Sequence, residues 1–310
     1  MQVSVIIINY NTFNLTCQCI RSVIDQTRDI SYEIILVDNA STECDPLIFK
    51  KNFPSVQLVT SLENLGFAGG NNLGIRHAKG DYILLLNSDA ILKENSIRFI
   101  YDKCNNISNL GAAGVKLIYP DGSIQHSAQN FPSVTVHFLY TTKLHRIFRK
   151  YFEKKAGSKN YSEDFSCDWI WGTFFFFPSR NLKFFNGQLP VSYFMYSEDV
   201  EWCYKFKKHG LVNLYFSGTG IIHLMGKSST ASFQKKLISQ NHLRFIRKEY
   251  GLFEYYAERV LTAIDKFTNR FQTRLRNSEK ERLPQSSATS GNSNINSRIK
   301  NIVHALSGND

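Results

Sequence analysis

The chain has 310 residues, 43% of them hydrophobic and 20% charged, with a formal net charge of +11 and a pI near 9.3. This is the composition of a soluble globular protein with a sizeable core, either one large α/β domain with additions or two domains. It excludes a transmembrane helix, since no run of 18 apolar residues occurs. The basic balance favours an anionic partner: a nucleotide, a phospholipid surface or nucleic acid. Six cysteines (Cys17, Cys19, Cys44, Cys104, Cys167, Cys203) show no paired CxxC spacing of the zinc type, so reduced thiols of a cytosolic protein are expected. Met1-Gln-Val-Ser lacks a basic leader, and Val3 to Ile8 is too short for a signal-peptide core.

In chain order, Val3 to Ile8 is a β-branched run ending in Asn9-Tyr10-Asn11. A helical pattern follows, with Leu15, Cys19, Ile20, Val23 and Ile24 on one face and Thr12 or Asn14 as its cap. Tyr32 to Val37 is a second strand ending in Asp38-Asn39-Ala40-Ser41, and a short helix leads to a third, Val56 to Thr60. A glycine-rich turn, Glu63-Asn64-Leu-Gly66-Phe-Ala-Gly69-Gly70-Asn71-Asn72-Leu-Gly74, then opens a helix that stops near Lys79-Gly80. The fourth strand lies in the stretch Asp81 to Ala90; its middle, Ile83 to Leu86, is uniformly apolar, as suits a parallel strand covered on both faces, and breaks into Asn87-Ser88-Asp89. Strands alternating with helices predict a parallel α/β unit.

Polar residues at the strand ends Asn9, Asp38 and Asp89 share one edge of that sheet, where ligands of open parallel sheets sit. Asp38 can accept from a base N–H or a ribose hydroxyl. Asp89 can ligate a hard divalent cation that holds phosphate oxygens. Each segment, taken alone, also fits an ordinary turn. The glycine spacing, after the third strand, does not match the GxGxxG dinucleotide fingerprint. Glycines here let backbone approach a ligand, with Asn71 and Asn72 as amide donors near a helix start; close helix packing explains some of them equally well.

Four ordered stretches, Val3–Asn11, Val37–Ser41, Asn64–Gly74 and Leu84–Asp89, resemble glycosyltransferase family 2 and, within it, the rhamnosyltransferase-like bacterial members with the GT-A fold. The resemblance continues to about Gly251. It implies a nucleoside-diphosphate-sugar donor, a divalent metal (Mg²⁺ or Mn²⁺) and an inverting transfer. Asn9, Tyr10, Asp38, Asn64, Gly66, Asn72, Asn87 and Ser88 would then contact the donor. The chain departs from the family's DxD motif, which stands here as Asn87-Ser88-Asp89, so one carboxylate remains for the metal.

The resemblance carries further. A helix around Glu94 to Cys104 and a strand over Ala112 to Ile118 precede a turn at Tyr119–Ser123, and His126 reads as a polar hairpin position. Asp168 to Pro178 reads as one apolar strand; in the family it lies beside the acceptor, which gives Trp169, Trp171 and Gly172 an acceptor role. Ser197 is expected to cap a helix running to His209. Glu198 and Asp199 in its first turn fit dipole partners, but they match the family's Glu-Asp motif, in which the Asp is the general base. Leu211 to Phe216 reads as a strand. His223, on the apolar stretch after it, matches a family histidine that can ligate metal beside Asp89; on its own it reads as a core histidine.

Two segments are basic and amphipathic. Phe138 to Asn160 interleaves seven Lys and Arg with aromatic and aliphatic residues, and from Phe253 apolar positions recur at helical spacing beside Arg259, Lys266, Arg270, Arg274 and Arg276. Either suits an anionic membrane surface, a solvated face or, for the second, a contact between copies. No nucleic-acid module accompanies the charge, so nucleic acid is not expected.

The reading is thus an α/β GT-A domain over residues 1–251, with a nucleotide-sugar half to about 118 and an acceptor half to 251. A basic amphipathic helix over 252–276 and a disordered tail over 277–310 follow. The expected protein is a metal-dependent inverting hexosyl- or deoxyhexosyl-transferase acting on a hydroxyl of a growing, lipid-linked cell-surface polysaccharide. It would be cytoplasmic and peripheral on the inner face of the plasma membrane. A nucleotidyltransferase of sugar phosphates and a non-catalytic sugar-nucleotide-binding protein are the alternatives.

Overall fold

The structure is a computed structural model that describes residues 1–156, 159–224 and 231–282. Its first half alternates β-branched or apolar strands with helices: β1 (Val3–Asn9), α1 (Phe13–Gln26), β2 (Tyr32–Asp38), α2 (Leu47–Asn52), β3 (Gln57–Thr60), α3 (Gly66–Ile75), β4 (Tyr82–Asn87), β5 (Ala90–Leu92) and α4 (Ser96–Cys104). There follow β6 (Leu110–Ile118), the two-residue strands β7 (Ile124–Gln125) and β8 (Ala128–Gln129), α5 (Val134–Thr141), α6 (Arg149–Ala156), β9 (Phe165–Cys167), β10 (Trp169–Ile170) and β11 (Phe174–Pro178). The chain closes with α7 (Glu198–Lys208), β12 (Val212–His223), α8 (Ala231–Glu249) and α9 (Leu252–Arg282).

Two compact units result. The first comprises residues 1–131 and 159–234, the second residues 132–158 and those from 235 onward. In the first, the main sheet has the order β3-β2-β1-β4-β11-β6-β12-β5, with β7 beside β6 and β9 beside β12. Strands β3, β2, β1 and β4 run parallel, and β11 joins β4 antiparallel, so the sheet is mixed. Because both β2 and β4 pair with β1, the strand order reverses at β1, and in open α/β sheets ligands bind at the carboxyl ends beside such a reversal. The register sets Asn9 opposite Asp38, Asp38 opposite Thr60, and Ile8 opposite Asn87, so the polar strand ends stand level. The alternating side chains of these strands feed two cores. Val5, Ile7, Leu84 and Leu86 pack on one face, Ile6, Ile35, Ile83 and Leu85 on the other.

Several segments depart from the sequence expectations. Residues 168–178 are two strands: β10 pairs with β8 in a separate two-stranded sheet, β11 pairs with β4, and Trp171–Thr173 bridge them. Strand β12 continues through Gly220 to His223 by way of a bulge after Phe216. Strand β5, too short to be read from its sequence, pairs antiparallel with the end of β12. All six cysteines are free.

The second unit is helical among its described residues, and Val136, Leu139, Phe245, Ile246 and Leu261 are buried. Helix α9 runs unbroken to Arg282, past the expected end at Arg276, and the remainder of the expected tail, residues 283–310, lies outside the described residues. Among the described residues no helix is long and apolar enough to cross a membrane.

A buried polar cluster ties these helices. His137 of α5 places Nδ1 2.9 Å from Glu258 Oε1 and Nε2 2.9 Å from Asp265 Oδ2, both on α9. His242 Nε2 reaches the same Glu258 oxygen at 2.9 Å, and the Thr141 hydroxyl donates to Asp265. With an acceptor at each ring nitrogen, His137 satisfies both only as imidazolium. Burial works against that charge, but the Asp265 and Glu258 hydrogen bonds outweigh it and raise the pKa to about 9. Burial likewise opposes the Glu258 charge, yet the hydrogen bonds from His137 and His242 hold its pKa down at about 2.

A raised histidine stabilises fully below its unfolded pKa of about 6.5 and loses that contribution as pH climbs through the folded value. The unfolding temperature of the chain should therefore exceed that of His137→Gln near neutral pH, with the gap closing as pH rises through about 9. A gap that stays constant across that range would show that the imidazolium does not hold these helices.

Candidate active site

The site is built at the carboxyl ends of β1, β2 and β4, in the first unit. At the end of β1, the Asn9 amide donates to Asp38 Oδ2 at 2.8 Å and to Ser41 Oγ at 2.9 Å, while its carbonyl accepts from the hydroxyls of Thr16 and Thr12. Asn9 is fully buried and thus a strut between β1, β2 and α1. Asp38 also accepts from the Ser41 backbone N–H at 3.0 Å. Thr12 serves no helix cap; its hydroxyl lies 3.2 Å from Ser88 Oγ and links the β1 and β4 ends. Tyr10 is exposed at the same edge.

The glycine-rich turn is held from within. Asn39 donates to Asn64 Oδ1 and the Gly66 carbonyl and accepts from Leu65 N–H, and Asn64 Oδ1 also accepts from Gly66 N–H. Gly66 has φ +69°, and an added Cβ would lie 2.2 Å from the Phe194 carbonyl oxygen, which itself accepts from Phe67 N–H. The asparagine pair does not face a ligand as amide donors: Asn71 donates to the Phe67 carbonyl, and buried Asn72 exchanges both of its polar atoms with the Leu189 backbone, at 2.7 and 2.9 Å.

Asp89 and His223 come together because β5 pairs with β12 so that His223 stands opposite Ala90. Asp89 Oδ1 lies 3.4 Å from His223 Nε2, and the Asp89 carbonyl accepts from Leu224 N–H. Gln125 sets the imidazole. Its amide nitrogen donates to the His223 carbonyl at 2.8 Å, which turns its oxygen toward His223 Nδ1 at 2.7 Å. Nδ1 therefore donates to Gln125, and Nε2 is the ring nitrogen turned to the carboxylate. An imidazole Nε2 and a carboxylate oxygen directed at each other are a ligand pair that suits a divalent cation.

The bridge Trp171-Gly172-Thr173 joins the parts. The Trp171 ring meets His223 edge-on, with centroids 6.5 Å apart. Gly172 N–H donates to Asp199 Oδ2 at 2.9 Å, and the Thr173 carbonyl accepts from Asn87 N–H at 3.0 Å. A Cβ at Gly172 would lie 2.9 Å from the Phe67 ring, which stacks on Trp202 of α7, so the bridge and that ring pack closely. Trp169 instead donates to the Asn130 carbonyl and packs in the other core, so the two tryptophans do not share one surface.

Helix α7 begins at Glu198, behind two consecutive non-glycine residues with positive φ, Tyr196 (+66°) and Ser197 (+75°). Ser197 makes no side-chain cap, contrary to the expectation. Such backbone costs of order 1–3 kcal/mol per residue, and here it presents the Glu198-Asp199 pair. Burial raises the proton affinity of Asp199 against the pull of the Gly172 and Val200 N–H groups. For Glu198 burial raises it first and the adjacent Asp199 charge second. Glu198 Oε2 is buried and has no hydrogen-bond partner.

Sequence reasoning missed Gln125, Thr12 and Thr173. Gln125 was within reach, since the turn at Tyr119–Ser123 folds its short strand back along β6. A Gly66→Ala variant should lose about 2 kcal/mol or more in denaturant unfolding. Gly122→Ala, with φ +87° but open space around it, serves as the control and should lose less. Equal losses would mean that the Phe194 contact does not constrain the turn.

Comparison with known proteins agrees with this geometry. Residues 4–177 match the family model described as glycosyl transferase family 2. The chain is similar to the glycosyltransferase GlyG of Streptococcus pneumoniae, 36% identical over 106 residues, covering 33% of this chain and 34% of that protein. It is also similar to the N-acetylglucosaminyl-diphospho-decaprenol L-rhamnosyltransferase of Mycobacterium tuberculosis, 24% identical over 208 residues, 61% of this chain and 66% of that one. The matches thus span less than two thirds of these relatives' own length. Among solved structures, a mannosyltransferase from Pyrobaculum calidifontis, in complex with GDP-Man and Mn²⁺, superposes with a TM-score of 0.55 at 18% identity over 84% of this chain and 70% of that one. The fold is GT-A, and the chain belongs to glycosyltransferase family 2.

Proposed function

We propose that the chain transfers a hexosyl or deoxyhexosyl group from a nucleoside-diphosphate sugar to a hydroxyl of a growing cell-surface polysaccharide carried on a lipid, with inversion at the anomeric carbon. The observation that carries this reading is the Gly172 N–H to Asp199 hydrogen bond, which fixes one carboxylate of raised proton affinity two residues from the tyrosine–serine kink. The acceptor class is supported by the relatives, one named for a diphospho-decaprenol acceptor and another, from Bacillus spizizenii, as a poly(ribitol-phosphate) β-glucosyltransferase.

Asp199 Oδ1 or Oδ2 takes the proton of the acceptor hydroxyl as that oxygen bonds to the anomeric carbon. The bond from that carbon to the diphosphate breaks at the same time, so the nucleoside diphosphate leaves with the electron pair. Buried Glu198 keeps a proton more readily than its neighbour, and the adjacent charge makes Asp199 the member that ionises first. Asp38 and the Asn64–Gly66 turn are assigned to the nucleoside, and Asn87 and Ser88 to the diphosphate side of the edge. Asn9 and Asn72 act on the donor pocket through the backbone that they hold. Trp171 and Gly172 border the acceptor.

Asp89 and His223 would hold Mg²⁺ or Mn²⁺, which when bound offsets charge on the leaving diphosphate. Two protein donors, with no cluster of three or more His, Cys, Asp or Glu fit for a metal among the described residues, leave the other positions to phosphate and water.

Turnover and donor titration together test these roles. Asp199→Asn should keep donor affinity and lose ~10²–10⁴-fold in rate. Asp89→Ala should instead lose metal-dependent donor affinity. In the unaltered protein the rate should fall with decreasing pH at a value above the ordinary carboxylate range, as the raised Asp199 becomes protonated. A near-native rate for Asp199→Asn removes it as the base, and unchanged donor affinity for Asp89→Ala removes the metal assignment.

A further inference from the structure

The net positive charge of the chain lies in one unit. Residues 132–158 and 235–282 carry 18 Lys and Arg against 7 Asp and Glu, a surplus of 11, whereas residues 1–131 and 159–234 carry 17 against 18. The unit that holds the candidate site is close to neutral. The surplus belongs to the helical unit.

Within that unit, α9 shows two faces. Glu258 and Leu261 are buried. On another face Phe253, Tyr256, Val260, Ile264 and Phe267 are between 43% and 83% exposed. At about 100° per residue, all five fall within roughly 40° of Val260 around the helix axis. Arg259, Lys266 and Arg270, all exposed, lie together along one flank of that stripe, roughly 80–120° from Val260. Single exposed apolar residues are ordinary, but five in one line on one helix call for a cover.

We infer that this stripe docks the protein onto an anionic phospholipid bilayer, with α9 lying in the plane of the interface. The aromatic and aliphatic side chains would enter the headgroup boundary, and the three flanking cations would meet lipid phosphates. The helix is not apolar enough to cross a membrane, which leaves the surface position. Charge complementarity selects the occupant. Two copies meeting through this stripe would bring two units of +11 together with their flanking cations beside the seam, a repulsion that an anionic bilayer turns into attraction. The inference does not depend on the transfer reaction proposed above.

Flotation of the full chain with vesicles decides it. Phosphatidylcholine vesicles containing phosphatidylglycerol should carry the protein upward and pure phosphatidylcholine should not, with recovery falling as salt rises. Neutralising Arg259, Lys266 and Arg270 to Gln should lower partitioning roughly 100-fold. Replacing Phe253, Val260 and Phe267 with Ser should also abolish flotation while leaving the unfolding temperature unchanged, because these side chains are exposed. Equal recovery with both lipids, or undiminished flotation of the serine variant, overturns the inference. So does a dimer, seen by sedimentation, that the serine variant dissociates in a protein that binds neither vesicle.

Discussion

The hydrogen bond from Gly172 N–H to the Asp199 carboxylate ties the start of α7 to the bridge between β10 and β11. Asp199 opens α7 in the later part of the sequence, while Gly172 sits in the three-residue bridge that also touches His223 through Trp171 and β4 through Thr173. Because β11 pairs antiparallel with β4, Thr173 stands beyond the end of β4 at Asn87, and the bridge is locked to the sheet. One backbone segment thus spaces Asp199, the Asp89–His223 pair and the end of the fourth strand. A side chain at 172 would strike Phe67, so the same glycine sets the approach of the glycine-rich turn.

Around that bridge, polar groups are arranged in layers. Asn9, Asn39, Asn72 and Gln125 are largely buried and hydrogen-bonded, each with its amide holding backbone or another side chain in place. Asp38 is held by the Asn9 amide and the Ser41 N–H, Asp199 by the Gly172 N–H, and the Asp89 carboxylate faces His223, each with acceptor capacity left over. Short amide side chains thus fix the geometry at which the carboxylates stand.

Much of this was legible in the sequence, and the failures have physical causes. The strand–helix alternation and the level strand ends were readable because apolar runs in parallel strands end abruptly in polar residues, as at Leu86-Asn87 and Val37-Asp38. The pairing of Asp89 with His223 was reached through the family resemblance, since the two residues are distant in sequence and meet only through the three-residue β5. Asn9, at a polar strand end, and Asn72, near the glycine turn, were assigned to the donor because an amide looks the same in sequence whether it faces a ligand or the protein's own polar groups. The strand from Asp168 to Pro178 was read as continuous because aromatic and apolar residues dominate it; the break falls at Gly172, where the partner changes from β8 to β4. Ser197 reads as a cap by residue type, but its positive φ excludes that geometry.

One base, on one side of the sugar, with the diphosphate leaving from the other, is the central claim. The NMR coupling of the anomeric proton in the product, compared with that in the donor once the sugar is identified, tests it most directly. An inverted configuration is the result expected from a single displacement assisted by Asp199. A retained configuration would require a second displacement or a front-face route, and would contradict the account.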